Sequence, residues 1–390
     1  MTDFFYRHLA KASQQKKVTP GQSIHLKFDL ALAHDGSGPQ ILKNINGRNR
    51  KIPGNSRILF TLDHCFPAPT VKDREFQRDI SVFAGQNDIH LFKNGEGVLH
   101  QVVAEQESLW PGMIIVGADG HVATQGAFGT IAFALSAEEF VNAIYASSHE
   151  IVVPELVTIA LEGVLKKPAM ARDIAMHIVH HYGQIIKDKA VILTGSTIDH
   201  LNISEKMSVC NFLPEAGAVT ALILPQGEQE KIDRVIQSTE IKPMVAVPGK
   251  TALFTHPAAL SSEKITVAIA GGCSSGRLDD MKIIADILAK NEVHPDVTFI
   301  VTPGSRNIME SMDKLHLSTA IRNGGAVIMP PGCGPCPGKH FGVLCDTDTA
   351  ITTTIRNSPG RIGAEGAKIY LASPLTVALS AVNGKITEPQ

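Results

Sequence analysis

The feature that most constrains the fold of this chain is a repeated alternation of β-branched runs, Gly-rich or polar loops and helical patterns. Residues 58–62, 113–116 and 265–269 are such runs, and each is followed by a loop and then by a segment of helical periodicity. This alternation is typical of α/β layers built on parallel sheets. Because ligands bind beyond the carboxyl ends of the strands in such sheets, we expect the chemistry in these loops.

The length of the chain predicts more than one domain. At 390 residues, it is too long for one ordinary core. Changes of composition suggest two seams, at residues 147–154 and in the Pro- and Lys-punctuated segment 241–264. We therefore predict three α/β domains, at residues 1–150, 151–262 and 263–390.

The bulk composition excludes several classes of protein. Hydrophobic residues make up 44% and charged residues 19%, with a formal net charge of −2, which indicates neither disorder nor a surface that binds nucleic acid. The sequence contains no apolar run of the roughly 18 residues needed to span a bilayer and no signal-peptide core in its first 17 residues. With six cysteines, too few for a disulfide scaffold, we expect a cytoplasmic protein that keeps its cysteines for ligation.

Three of the cysteines lie in Gly-rich loops. Cys333 and Cys336 form a C-x-x-C pair, and Cys273 stands alone after a predicted buried strand. The three thiolates could converge from two loops, where glycines let backbone amides approach the sulfurs of a cluster. Three ligands on a four-iron cluster would leave one iron open as a Lewis acid.

The cysteine spacing alone leaves other interpretations open. A structural zinc site would normally need a fourth protein ligand, and a thioredoxin-like redox pair is disfavoured by the third cysteine and the late position. A structural or incidental C-x-x-C remains possible on spacing alone. Cys65, Cys210 and Cys345 have no second cysteine at ligand spacing, so we predict that they are inert buried thiols.

Ordered motifs run along the whole chain. They are V-T-P-G at 18–21, D-L-A-L-A-H-D at 29–35, L-D-H-C-F-P at 62–67, G-V-L-H-Q at 97–101, D-G-H-V-A-T-Q-G-A-F-G at 119–129, M-S-V-C-N at 207–211, E-A-G-A at 215–218, the cysteine loops, and R-N-S-P-G-R at 356–361. In this order they resemble the aconitase superfamily, and within it the large subunits of isopropylmalate dehydratase and homoaconitase.

The resemblance implies an aconitase-like α/β fold in which three α/β/α domains surround a cleft with a [4Fe–4S] cluster on Cys273, Cys333 and Cys336. It also implies that the swivelling fourth domain is absent here and that a separate small subunit supplies it. The expected reaction is the reversible dehydration of a small hydroxy-carboxylic acid, with a one-way dehydratase of an unusual hydroxy-acid as the alternative.

The resemblance further assigns roles to individual side chains. Three acid–base pairs are expected around the cluster, and four other residues are expected to hold the substrate. On the residues alone, a buried histidine beside a carboxylate is more often a satisfied core pair. The implied catalytic residues are Asp63, His64, His100, Asp119, His121 and Glu215, and the implied substrate-binding residues are His34, Asn211, Arg356 and Arg361.

Three departures from the family pattern predict a changed substrate. Relatives carry a serine where this chain has Gly120, an Asn where it has Ser275, and another Asn where it has Ile355. A site built to hydrogen-bond one group discriminates against ligands that lack it. A rival function of another class, a cluster-sensing RNA-binding protein, is disfavoured by the near-neutral charge and by an aromatic content of 5%.

Overall fold

A computed structural model describes residues 3–45, 51–53, 57–92, 94–249, 253–339 and 341–390. The predicted first domain begins at residue 1, and the predicted seam 241–264 includes residues 250–252; these positions lie outside the described residues.

The first part of the chain builds a five-stranded parallel sheet with the strand order β4-β3-β2-β5-β6. Its central strands are short, almost wholly buried apolar runs, as expected for a parallel sheet covered on both faces. A 3₁₀ helix at Val122–Phe128 follows β5. The elements are α1 (Phe4–Ala12), β1 (Ser23–Leu26), β2 (Leu30–His34), α2 (Gly38–Ile45), β3 (Arg57–Thr61), α3 (Val71–Gln86), β4 (His90–Leu91), α4 (Leu99–Gln106), β5 (Ile114–Gly117), β6 (Ile131–Ala134), α5 (Ala137–Ala146) and β7 (His149–Val152).

The middle of the chain builds a four-stranded parallel sheet in the order β10-β9-β8-β11. Its main helix, α6, buries an apolar face against the sheet, as its periodicity requires. A 3₁₀ turn at Leu213–Ala216 leads from the helices to β10. The elements are β8 (Leu156–Glu162), α6 (Ala171–Ile186), β9 (Ala190–Thr194), α7 (Ser196–His200), α8 (Ile203–Phe212), β10 (Thr220–Ile223) and β11 (Arg234–Gln237).

The last part of the chain builds a seven-stranded sheet in the order β13-β12-β18-β17-β14-β15-β16. Its strands are parallel from β18 to β16 and antiparallel at β12 and β13. Short 3₁₀ turns at Ser238–Glu240 and Pro257–Leu260 flank the first strands. The elements are β12 (Val245–Ala246), β13 (Phe254–Thr255), β14 (Val267–Gly271), α9 (Gly272–Ser275), α10 (Leu278–Leu288), β15 (Thr298–Thr302), α11 (Arg306–Lys314), α12 (Leu317–Asn323), β16 (Val327–Ile328), β17 (Thr349–Thr352), β18 (Lys368–Leu371) and α13 (Pro374–Asn383).

The predicted α/β class with parallel sheets is confirmed. β7 pairs antiparallel with β1, so the strand that contains position 150 joins the first part of the chain. The division at residues 150 and 262 stays a prediction. No helix in the described part of the chain combines the length and the apolar character needed to cross a bilayer.

The fold brings polar loops from two sheets together. In the first sheet, His34 ends β2, and Asp63 and Asp119 each follow a strand by two residues. In the last sheet, Cys273 lies two residues beyond β14. These positions are the carboxyl ends of parallel strands, where the alternation of elements predicted the chemistry.

Candidate functional site

One cavity, of about 270 Å³, gathers most of the residues that the sequence singled out. From the first sheet it is lined by His34, Asp63, His64, His100, Asp119 and His121, and from the last sheet by Cys273, Cys333, Cys336, Arg356 and Arg361. The two remaining candidates, Asn211 and Glu215, stand behind this lining and contact it directly.

A buried carboxylate shapes the turn that carries the first acid–base pair. Asp35 Oδ1 accepts hydrogen bonds from the backbone N–H groups of Asp63 (3.0 Å) and His64 (2.8 Å), and its Oδ2 accepts one from Cys65 (3.0 Å). The backbone carbonyl of Asp63 in turn accepts from the N–H of Cys333 at 3.0 Å. The histidine turn and the cysteine loop are therefore tied together through the backbone.

The Asp63–His64 pair has the geometry of a charged imidazole held by a carboxylate. His64 Nδ1 lies 2.5 Å from Asp63 Oδ1, and the Leu99 N–H donates to Asp63 Oδ2 at 2.8 Å. Burial alone would lower the pKa of His64, but the charges of Asp63 and Asp35 and the hydrogen bond to Asp63 outweigh it and raise that pKa to about 9. His64 is therefore protonated at neutral pH.

Asp119 holds two further imidazoles. Its Oδ2 lies 2.8 Å from His34 Nε2, and its Oδ1 lies 3.0 Å from His100 Nε2. His34 Nδ1 accepts the Gly36 N–H at 3.0 Å, so the proton of this ring is on Nε2. Burial opposes ionisation of Asp119, but His100 and His34 hold its pKa well below the usual value. Asp119 is thus an anion that orients both rings.

The third pair extends to an arginine. His121 Nε2 lies 2.9 Å from Glu215 Oε1, and Arg356 Nε donates to both oxygens of Glu215 at 2.9 and 3.1 Å. Burial opposes ionisation of Glu215, but His121 and Arg356 lower its pKa. The pairing positions Arg356, whose remaining N–H groups can meet a ligand in the cavity.

The three cysteines suit a bound metal cluster. Burial and neighbouring Cys336 raise the pKa of Cys273 to about 12, and burial also raises the pKa of Cys333, so thiolates at these two positions would be costly without a cation. They are spread more widely than one ion needs: among the described residues, three or more ligand atoms within 4.8 Å of one another occur at His34, Asp35, Asp63 and His64, and not at the cysteines. The donor set therefore fits a polynuclear group better than a single zinc ion.

Polar groups around the sulfurs also fit such a group. Asn211 Nδ2 lies 3.8 Å from Cys273 Sγ, and Arg361 Nη2 lies 3.7 Å from Cys336 Sγ. Within the described residues, His100 Nδ1, Asn211 Oδ1 and Arg361 Nε are buried without a hydrogen-bond partner. Buried polar atoms normally have a hydrogen-bond partner, so these three atoms mark positions where a ligand or a water molecule can bind.

The three departures from the family pattern lie in different environments. Gly120 lines the cavity, and a Cβ at this position would lie 3.1 Å from Arg356 Nη2. Ile355 is buried in a hydrophobic core, and Ser275 is buried with no partner for its hydroxyl in the described chain. Gly120 is thus the departure that directly shapes the cavity.

Some residues of this region were missed by the sequence reasoning. Asp35 directly follows His34 after the apolar run at residues 30–33, a signal that could have identified it. Arg277 donates to the backbone carbonyls of Ser274 and Cys273, each at 2.8 Å, and Lys339 lines the cavity three residues after Cys336. Both are cations close to predicted cysteine ligands in sequence.

One prediction about the other cysteines was wrong. Cys65 and Cys210 are buried as predicted, but Cys345 is exposed. It begins a turn in which its N–H donates to Asp348 Oδ2 at 2.8 Å. This turn precedes β17 at the surface, where the apolar character of a thiol does not enforce burial.

Comparison with known proteins gives consistent matches over the whole length. The chain matches the aconitase family (aconitate hydratase) at residues 5–232 and 228–384. It is 33% identical to the 3-isopropylmalate dehydratase large subunit 2 of Methanopyrus kandleri, over 96% of this chain and 95% of the relative. It is 34% identical to the probable methanogen homoaconitase large subunit of Methanothermobacter thermautotrophicus, over 98% and 96% respectively.

The fold also has a solved counterpart. The crystal structure of Thermococcus kodakaraensis aconitase X in its holo-form superposes with a TM-score of 0.54 over 86% of this chain and 84% of the other, at 10% identity. This likeness supports the fold alone, whereas the sequence matches confirm the resemblance and the predicted enzyme class, a hydro-lyase. This chain belongs to the aconitase family.

Proposed function

We propose that this chain is the large subunit of a cytoplasmic, two-subunit iron–sulfur hydro-lyase that reversibly dehydrates a hydroxy di- or tricarboxylic acid. The observation that carries the proposal is a single cavity shared by three thiols, a protonated histidine–carboxylate pair and two arginines. The relatives' names, large subunits of 3-isopropylmalate dehydratase and homoaconitase, support both the reaction and a small-subunit partner. All six cysteines are described and free, which suits a reducing compartment.

The proposed cofactor is a [4Fe–4S] cluster on Cys273, Cys333 and Cys336. When bound, it would supply an iron without a thiolate ligand, a Lewis acid beside the substrate's hydroxyl and carboxylate. Asn211 and Arg361 would hydrogen-bond the sulfurs, as their distances to Cys273 and Cys336 support.

His64 is the proposed general acid for the departing hydroxyl. Asp63 occupies Nδ1, which leaves Nε2 as the nitrogen that can give a proton to a ligand in the cavity. Dehydration breaks the C–O bond and the neighbouring C–H bond, forms a C=C bond and releases water. The carbon-bound proton goes to a base, for which we propose a serine of the partner's swivelling domain.

The other pairs are proposed to position the substrate. Asp119 orients His34 and His100, and His34 is proposed to contact the substrate from the cavity wall. Arg356, fixed by Glu215, and Arg361 are proposed to hold two carboxylates by forked hydrogen bonds. His121 shares Glu215 with Arg356, so these three act as one unit.

An altered substrate pocket is a second proposal within the same reaction class. It rests on Gly120, which leaves Arg356 Nη2 next to an empty Cβ position. A serine there would crowd the guanidinium, so this chain can place Arg356 closer to the loop at residues 119–121. The substrate is then a hydroxy-acid that differs from those of the relatives in its carboxylate spacing.

Anaerobic reconstitution of the chain tests the cluster. We expect four irons per chain and visible charge-transfer absorption that is lost in Cys273→Ser, Cys333→Ser and Cys336→Ser. Cys65→Ser is the matched control, since Cys65 is buried but does not line the cavity. An unchanged spectrum in Cys336→Ser would refute the ligand assignment, and a screen of hydroxy-acids with the partner present then tests the reaction.

A further inference from the structure

A lysine that the proposed mechanism does not use lines the same cavity. Lys339 follows the C-x-x-C pair and is one of the residues of the cavity wall. Its side chain is exposed, so its ammonium is accessible to a ligand. No role in ligation or proton transfer accounts for it.

The other cations of the cavity each have an anionic or thiol partner. His64 is held by Asp63, Arg356 by Glu215, and Arg361 lies 3.7 Å from the sulfur of Cys336. Across the described residues, no carboxylate lies within ion-pair distance of Lys339, and its ammonium makes no hydrogen bond. Lys339 is thus the cation of this cavity whose charge is not already balanced.

The surroundings of Lys339 favour an anion and contain few apolar side chains that an alkyl group could contact. Burial raises the pKa of the Cys65 thiol to about 12, and the Lys339 ammonium opposes that rise, so its field reaches the turn at residues 63–65. Helix α2 begins directly after Ser37, which also lines the cavity, so the partial positive charge of the helix N-terminus faces the same cavity. Among the described lining residues, the aliphatic side chains are Val98, Ala118 and Pro337.

We propose that Lys339 binds a third anionic group, so that the substrate is a hydroxy-acid with two carboxylates and a further carboxylate or phosphate, rather than a neutral alkyl side group. This inference rests on the proposed hydro-lyase function and narrows its substrate class. Arg356 and Arg361 take the two carboxylates that the reaction requires, and Lys339 takes the third charge.

Binding of three unreactive analogues to the anaerobically reconstituted full chain tests the inference without requiring turnover. The probes are 2-isopropylsuccinate, tricarballylate and 2-(phosphonomethyl)succinate, which differ in a neutral, carboxylate or phosphonate third group. Titration calorimetry at low ionic strength should give at least about tenfold tighter binding of one or both anionic probes. The tighter of the two identifies the source of the charge.

Variants of the lysine separate its charge from its packing. Lys339→Met should bind the anionic probes no more tightly than 2-isopropylsuccinate, and its affinity for 2-isopropylsuccinate should be unchanged. Lys339→Arg should keep most of the preference for the anionic probes. Lys314→Met is the matched control, because Lys314 is exposed at the end of α11, outside the cavity. If Lys339→Met binds all three probes equally more weakly, or loses its iron, the Lys339 ammonium serves the cluster and does not bind a third anionic group. Either result would overturn the inference.

The two proposals fail in different ways. If the wild-type chain prefers anionic probes but the enzyme with its partner never dehydrates a hydroxy-acid, the proposed function fails. If the enzyme dehydrates a hydroxy-acid with a neutral side group and Lys339→Met changes neither binding nor specificity, the inference about Lys339 fails and the hydro-lyase function stands.

Discussion

At the residue scale, the candidate site is a set of buried ionised groups that stabilise one another. Asp63 is 2% exposed and the side chain of Asp119 is 9% exposed, positions that disfavour charge unless donors are fixed around the carboxylates. For Asp119 these donors are His34, His100 and the His121 N–H, and for Asp63 they are His64 and the Leu99 N–H. The resemblance predicted the pairs of His100 with Asp119 and of His121 with Glu215, whereas residue spacing alone could not, because Glu215 lies 94 residues from His121.

The Asp63–His64 pair predicts how the activity of the enzyme depends on pH. With a pKa of about 9, His64 is a competent acid below that pH and loses its proton above it, so kcat/KM of the holoenzyme should fall above pH 9. Asp63→Asn removes the charge that raises this pKa, so the alkaline limb should move down in pH and turnover should fall by about 10²–10⁴-fold.

A pH–rate profile measured with an iron assay checks this prediction. Asp79→Asn is a suitable control, since Asp79 is exposed on α3 and does not line the cavity. If Asp63→Asn keeps its full iron content and the alkaline limb of its pH–rate profile does not move, the Asp63–His64 pair has only a structural role.

Gly120 carries a second prediction at this scale. A Cβ there would stand 3.1 Å from Arg356 Nη2, so Gly120→Ser should shift this end of the guanidinium by a few tenths of an ångström, away from the position in which it meets a ligand. We expect KM for the physiological substrate to rise about tenfold or more, with iron content unchanged. Gly85→Ser, where the added Cβ meets nothing within 4 Å, is the control, and equal kinetics for the two variants would contradict the role of Gly120.

At the scale of elements, the three apolar runs seen in the sequence become β3, β5 and β14, displaced by one or two residues. The run at 265–269 becomes the strand Val267–Gly271. It extends through glycine because Gly271 continues the pairing with Thr302 of β15. Hydrophobic patterning therefore predicted that the strands exist, but their ends depend on pairing with neighbours that are distant in sequence.

The cysteine loop depends on a glycine at its entry. Gly271 has φ +122°, and a Cβ on it would lie 1.9 Å from the Thr302 carbonyl oxygen, so any side chain pushes β14 from β15. Gly271→Ala should cost more than about 3 kcal/mol and reduce iron binding. Gly21→Ala, also at positive φ (+81°) but with nothing within 4 Å, should cost only about 1 kcal/mol and keep its iron.

Denaturant unfolding of the apo-chain and iron content after reconstitution measure both effects of these glycine variants. If Gly271→Ala and Gly21→Ala lose similar amounts of stability, the backbone around Gly271 and Thr302 relaxes to accept the added Cβ. The start of the cysteine loop is then not rigid.

At the scale of the whole molecule, the site exists because the loops of two sheets meet. Asp63 belongs to the first sheet and Cys333 to a loop of the last, and one backbone hydrogen bond joins them. Gly332 allows the two loops to approach this closely, since a Cβ at this position would lie 2.9 Å from the Asp63 carbonyl oxygen. Local sequence patterns contain no information about such a junction, which is why only the family resemblance predicted the shared cleft.

The openness of this cleft gives a prediction for the complete enzyme. The side chain of Arg356 is 42% exposed and that of His64 is 17% exposed, so water reaches the groups proposed to hold and protonate the substrate. Water weakens electrostatic contacts, and proton abstraction from carbon is slow without a positioned base. The cluster-loaded chain alone should therefore bind tricarballylate weakly and show negligible turnover.

Adding the small subunit should restore turnover and tighten binding, because a covering domain excludes water and supplies the proposed serine base. The measurement is steady-state turnover of the chain alone and with increasing partner, in preparations checked for a second polypeptide. Arg356→Lys gives an internal comparison, since it keeps the charge but loses the Nε–H that both oxygens of Glu215 accept and the planar guanidinium, and it should lower turnover of the complex without preventing assembly. Full activity from the chain alone would place the base among residues 1–390 and refute the two-subunit proposal.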